Sequence, residues 1–183
     1  MARPGGRSAR VQQSVHDAVR ELLEEAGRDG LTVPLIAARA GVTPSTIYRR
    51  WGDLQELLSD VAVERLRPES APTDLGSLRQ DLDVYAEQFL EEMASASGRA
   101  YIRDALLGDA EGTNAGQCSA YAADQIETIL RRAAERGERV PEIEHVMDRV
   151  VAPIMYRILF RPDGLTAEYS HTLVSGALEN TTA

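Results

Sequence analysis

The chain is predicted to be all-α, with about nine helices in two parts. Three observations carry that reading. Apolar residues recur at steps of three and four through most of the 183 residues, the spacing that gathers one face of an α-helix. No stretch alternates apolar and polar residues over a strand's length with β-branched enrichment, and no internal repeat is seen. Threonine, proline and glycine fall between the periodic segments, where helix starts and stops belong.

Taken in order, Val11, Val15, Ala18, Leu22, Leu23 and Ala26 mark a first helix that should end at Gly27 or soon after. Residues 1–10 before it, with Arg3, Arg7 and Arg10, read as a basic flexible leader. Thr32 caps a short second helix through Ile36 and Ala37 to Ala40, with Pro34 in the first turn, where its missing N–H costs little. Gly41 stops it, because glycine accepts the left-handed conformation that closes a helix. Val42 then turns inward, Thr43 caps a third helix and Pro44 takes its first position.

Gly52 and Asp53 end the third helix, and Asp53 caps a fourth through Leu54, Leu57, Leu58, Val61 and Leu66. The stretch 68–72, PESAP, is the clear linker and divides a first domain, 11–66, from a second, 74–183. Leu78, Leu82, Tyr85, Phe89 and Met93 mark a long fifth helix; Tyr101, Ile102, Leu106 and Leu107 mark a shorter sixth; residues 108–116 read as a loop. Cys118, Tyr121, Ala122, Ile126, Ile129 and Ala133 describe a seventh, closed near Gly137. Pro141 opens an eighth that continues to about Phe160, with Pro153 as a kink position. A ninth runs from about Thr166 to Leu178.

A hydrophobic content of 43% is enough to bury a core and excludes a disordered tail. The single cysteine, Cys118, excludes an internal disulfide and a Cys-based metal cage, in keeping with a reducing cytoplasm. Apolar runs are broken by charge well before a membrane helix could form, and MARPGGRSAR has no apolar stretch like that of a signal peptide. The expectation is a soluble cytoplasmic protein without a membrane partner.

Charge divides the chain. The formal net charge is −9, yet residues 1–50 hold eight arginines against five acids, while residues 69–183 hold ten against twenty. The formal positive charge comes entirely from arginine, since the chain has no lysine. The first segment can therefore approach a polyanion that the rest of the molecule repels.

Within that segment, LTVPLIAARAGVTPSTIYRRW supplies what a helix-turn-helix needs: a bracing helix, a tight turn and a second helix whose outer face can enter the DNA major groove. Val42, Ile47 and Trp51 are apolar where the pair must pack. Thr43, Pro44, Ser45, Tyr48 and Arg49 are left facing out, and the expected DNA contacts are Arg7, Arg10, Thr32, Thr43, Pro44, Ser45, Thr46, Tyr48, Arg49 and Arg50. Hydroxyls and helix N-terminal amides hold phosphate oxygens, arginine pairs with phosphate or with guanine's edge, and a threonine methyl or proline ring touches thymine's methyl. Arg7 and Arg10 in the leader can follow the backbone or reach the minor groove.

On these marks residues 11–66 resemble the DNA-binding domain of the TetR family of bacterial transcriptional regulators. The resemblance rests on Thr32, on Ile36-Ala37 followed by Ala40-Gly41-Val42, on Thr46, on Tyr48-Arg49 ahead of the aromatic Trp51, and on Leu57. It implies backbone contacts from Tyr48 and Arg49, with Ser45 near base edges. One departure is Leu54, where the family commonly has a lysine that contacts the backbone; Arg50 or the leader arginines would have to substitute.

The second part matches the family's usual dimerisation and inducer-binding half less specifically, through VPEIEHVMDRVVAPIMYRILF, DGLTAEY and an apolar last helix. The apolar residues of the eighth helix cover more than one core-facing stripe requires. Val151, Ile154, Met155 and Ile158, with Tyr169, Leu173 and Ala177 of the ninth, are the expected interface of a homodimer. A pocket for an unidentified small-molecule effector is expected among Tyr85, Phe89, Met93, Tyr101, Tyr121, Gln125 and Met147. His16, His145 and His171 are scattered, and no HExxH or phosphate-cradling glycine loop occurs, so no catalytic residue, metal site or cofactor is expected. The reading is a one-component DNA-binding repressor, homodimeric on a palindromic operator and released by an effector. The alternatives are a DNA-binding dimer without a ligand and a helical protein–protein adaptor.

Overall fold

In the computed structural model residues 6–109 and 111–179 are described. Gly6 supplies the first turn's acceptor: its carbonyl takes the N–H groups of Ala9 and Arg10, and α1 runs from Arg7 to Ala26. The helix therefore starts four residues earlier than Val11. Apolar periodicity sees only what is buried, and Ser8, Ala9 and Arg10 are exposed. Arg10 thus belongs to a helix, not to a flexible leader; Arg3 lies outside the described residues, as does the side chain of Arg7.

After a 3₁₀ turn, Arg28–Gly30, Thr32 accepts the N–H of Leu35 and opens α2, Val33–Ala40. Gly41 closes it at φ 68°, a left-handed conformation that an added Cβ would strain. The N–H of Val42 then reaches back to the Ala37 carbonyl, completing a glycine-closed helix end. The third helix, α3, is Pro44–Trp51, and Asp53 caps α4, Leu54–Arg65, by accepting the N–H of Glu56. Val15, Val19, Leu22, Ile36, Ile47, Trp51, Leu57 and Val61 form the core of this head. Each buried branched side chain contributes about 1.5–3 kcal/mol relative to exposure.

The long fifth helix, α5, is Leu78–Ala94, α6 is Ala96–Leu107 and α7 is Thr113–Glu135. The predicted loop 108–116 is thus shorter, because its second half is the first turn of α7. Asn114, Ala115 and Gly116 carry no apolar stripe that could have announced a helix. The eighth helix, α8, begins as Ile143–Val146, widens into a π turn at Met147–Val151 and continues as Ala152–Phe160. Pro153 explains the widening. Its ring would clash in a regular ladder and it has no N–H to give, and the N–H of Ala152 reaches the Met147 carbonyl instead. The last helix, α9, is Ala167–Glu179.

The described residues are all-helical, as the sequence predicts, and they divide into two compact units. One contains the chain up to Arg65 together with Asp104–Asn114; the other contains Leu66–Arg103 and the chain from Ala115 onward. The second unit has its own core, built from Leu82, Ala86 and Leu90 of α5, Ile126 and Ile129 of α7, Val146, Ile154 and Ile158 of α8, and Val174 and Ala177 of α9. No described helix is long and apolar enough to cross a membrane.

Candidate nucleic-acid interface

The outer face of α3 follows from where its inner face is pinned. Ile47 is fully buried and Trp51, one turn later, is 6% exposed. Four residues apart, they define one side of the helix. The opposite side then carries exposed Pro44, Ser45, Tyr48 and Arg49, with Tyr48 half exposed at 50%. This is the separation predicted from the sequence.

At the start of α3, Thr43 occupies the N-cap position but no side-chain cap bond forms. Its hydroxyl lies 2.9 Å from those of both Ser45 and Thr46, so three hydroxyls are gathered at the positive end of the helix. Thr46 is half-buried. Such an end offers donors to an anion. Arg49 forms no ion pair among the described residues, and Arg10 is exposed one turn into α1. Thr32 is exposed, but its hydroxyl is engaged in capping α2.

Arg50 is placed differently from the expectation. Its guanidinium donates to the Ser8 carbonyl at 3.1 Å, to the Ser8 hydroxyl at 2.8 Å and to the Gln12 side-chain oxygen, and it lies 5.1 Å over the Trp51 ring. It ties the start of α1 to the end of α3. Arg39, a further head arginine, is held by Glu21 and Glu25 of α1.

Beneath α3 lies a polar group that the sequence reading did not find. His16 is fully buried, with Nε2 3.0 Å from Asp60 Oδ2 and Nδ1 against Glu64. Only a doubly protonated ring can donate on both sides. Burial works against that charge, but the hydrogen bonds and charges of Asp60 and Glu64 outweigh it and hold the His16 pKa above its ordinary value. For Asp60, burial pushes upward, and bonds from His16 and Trp51 with the charges of His16 and Arg50 bring the pKa below the usual carboxylate range. His16 follows Gln12 by four residues and precedes Val19 by three, a spacing that would have placed it on the buried stripe of α1.

In the second unit Tyr85, Phe89, Met93 and Met147 share the core region, with Tyr85 stacked on Phe89 at 5.9 Å. Tyr101 and Tyr121 are half-buried outside that cluster, and the Gln125 amide donates to the Ser70 carbonyl. The Tyr85 hydroxyl is buried without a hydrogen-bond partner among the described residues.

The expected interface residues also separate. Val151, Ile154, Ile158 and Ala177 are buried within their own unit, so they cannot form an open surface. Met155, Tyr169 and Leu173 are half-buried. The exposed apolar residues of α8 are instead Tyr156, Leu159 and Phe160, the last 70% exposed. The surplus of apolar residues on α8 was legible, but not which of them turn inward. Among the described residues no group of three or more His, Cys, Asp or Glu side chains is placed to hold a metal ion.

Comparison with known proteins agrees with this geometry. Residues 16–61 match the model of bacterial regulatory proteins of the tetR family, and residues 72–177 match the tetracyclin repressor-like C-terminal domain. YdeS of Bacillus subtilis, an uncharacterized HTH-type transcriptional regulator, is 27% identical over 94% of this chain and 90% of its own. A TetR transcriptional regulator from Agrobacterium tumefaciens has a similar fold, with TM-score 0.60 and 22% identity over 93% of both chains. So does Thermus thermophilus FadR, a TetR-family repressor solved in complex with lauroyl-CoA, with TM-score 0.52 and 18% identity over 94% of this chain and 95% of that one. A helix-turn-helix head and a helical second unit, each matched by its own family model, make this chain a member of the TetR family of DNA-binding transcriptional regulators.

Proposed function

We propose that the chain works as a homodimeric repressor on a palindromic operator and is released from it by a small-molecule effector. The observation that carries the DNA side is the polarity of α3. An acidic chain keeps Ser45, Tyr48 and Arg49 exposed on one side of an eight-residue helix whose other side is fixed by Ile47 and Trp51. On this reading Ser45 meets base edges, and Tyr48 and Arg49 meet phosphates. Pro44, Thr43 and the start of α1 flank that contact.

The dimer is supported by Tyr156, Leu159 and Phe160, exposed apolar side chains close together on α8, with the Tyr156 and Phe160 rings 5.3 Å apart. A second copy meeting this face about a two-fold axis would bury them, with Met155, Tyr169 and Leu173 at the margin. Two recognition helices related in that way read half-sites about one DNA turn, roughly 34 Å, apart.

The effector is supported by the match to the tetracyclin repressor-like C-terminal domain and by the lauroyl-CoA held by the Thermus neighbour. The Tyr85 hydroxyl, without a hydrogen-bond partner among the described residues and in a core shared with Phe89, Met93 and Met147, suits a ligand with an apolar body and one hydrogen-bonding atom. The ligand need only favour the form that binds DNA poorly, since it shifts the equilibrium by its differential affinity for the two forms. No cofactor enters this scheme, and its place is the cytoplasm, where operator DNA is found.

The test is selection of bound duplexes from a random pool by the full-length protein. A consensus with two-fold symmetry and half-sites about one turn apart is expected. Absence of enrichment, or enrichment of a single unpaired half-site, would contradict the reading.

A further inference from the structure

We propose that Asp60, on α4, is a positioning residue for DNA recognition: its one oxygen fixes how α3 is rolled on the head, and thereby which base edges the helix can meet. This rests on the reading of α3 as the recognition helix.

Asp60 Oδ2 collects three donors from two other helices. Gln12 Nε2 lies at 3.2 Å and His16 Nε2 at 3.0 Å, both from α1, and Trp51 Nε1 lies at 2.7 Å at the end of α3. The Gln12 amide is itself held, because its oxygen accepts from Arg50 of α3. A closed circuit results, Asp60 to Trp51 along α3 to Arg50, then to Gln12 and back to Asp60. Glu64 holds the far side of the His16 ring.

The circuit is needed because α3 is short. Its buried residues are Ile47 and Trp51, one turn apart, so packing pins it along a single line. Dispersion and burial are weakly directional and leave roll about that line soft. A hydrogen bond is directional and weakens steeply off its angle. A roll of about 10° moves atoms on the outer face of a helix by about 1 Å, which is enough to spoil a base-edge hydrogen bond. The attraction of arginine for phosphate falls off gradually with distance and survives such a shift. Loss of Asp60 should therefore remove sequence discrimination while leaving general DNA attraction in place.

The experiment uses the full chain, the duplex that wild-type protein enriches from a random pool, and a scrambled duplex of the same length. Asp60→Ala is expected to lose at least about tenfold in affinity for the enriched duplex, the scale of one base-edge contact. Affinity for the scrambled duplex and the salt dependence of binding should stay near wild type. Asp60→Asn keeps an oxygen for the Trp51 N–H and should recover discrimination in part. Trp51 is the only tryptophan, so its fluorescence should shift in Asp60→Ala and return toward wild type in Asp60→Asn. Should Asp60→Ala fail to fold, the Asn variant and its fluorescence decide, with weaker discrimination and shifted emission expected. Equal losses on both duplexes, or unchanged discrimination in a folded variant, would overturn the proposal. If wild-type protein enriches no duplex, the reading of α3 itself fails, a result that differs from either.

Discussion

His16 of α1 and Asp60 of α4 meet at 3.0 Å with the imidazole completely buried, so a charge pair sits beneath α3 and not on its surface. The sign of its pH dependence follows from the two shifts. The His16 pKa is raised on folding, so its contribution is complete below the unfolded value, about 6.5, and is lost as pH rises through the higher folded value. The Asp60 pKa is lowered, so its contribution is present above its ordinary value and is lost as pH falls through the lower folded one. His16→Gln should flatten the alkaline loss, read as Tm against pH from about 6 to 9, the range spanning histidine titration. A variant that loses stability over that range as steeply as wild type would show that His16 is not the titrating group.

Gly108 tests how closely the chain after α6 packs on the head. A Cβ built there would stand 2.2 Å from the Gln55 carbonyl oxygen, which is backbone and cannot swing aside. The same region is held by Ser59, which donates to the Ala105 carbonyl and accepts from Asn114, and by Arg28, which donates to Asp104. Gly108→Ala should cost about 1–3 kcal/mol, as overpacking does. Thermal denaturation would check it, and an unchanged Tm would mean that the contact is loose.

Tyr85 offers a prediction of opposite sign. Its hydroxyl is buried without a partner among the described residues, and burial alone raises its pKa. Tyr85→Phe removes an uncompensated polar group, so the ligand-free protein should gain about 1 kcal/mol. A fall in Tm would mean that the hydroxyl has a partner, such as a buried water. If the hydroxyl anchors the effector, the variant should also respond less to any compound that releases wild-type protein from DNA.

The exposed apolar face of α8 predicts assembly. Replacing Tyr156 and Phe160 together by Glu puts two charges where a two-fold contact would bury two rings. Sedimentation is expected to report a dimer for the unaltered protein and a folded monomer for the double variant. A double variant that stays dimeric would place the interface elsewhere.

Much of the head could be read directly from the sequence because its signals are local. Thr32, Gly41, Pro44 and Asp53 each act within a few residues, and Ile47 and Trp51 declare one side of a helix by spacing alone. What could not be read depends on distant partners. Arg50 resembles a solvated or phosphate-seeking arginine until Ser8 and Gln12, 42 and 38 residues away, are placed beside it. His16 and Asp60 are 44 residues apart. In the second unit, apolar periodicity announced that α8 was overfilled, but the π turn before Pro153 and the packing of α9 decide which residues stay outside. Val151 and Ile158 therefore fell to the core and Phe160 to the surface.

The proposed contact between α3 and DNA is tested most directly by changing Tyr48 and Arg49 together to alanine and measuring binding to the enriched duplex over a range of salt. Both side chains are exposed, so the fold and Tm should hold. Affinity should fall by at least about tenfold, and the slope of log affinity against log salt should lose about one unit for the missing arginine–phosphate contact. A folded double variant with wild-type affinity and slope would show that DNA is met by some other surface.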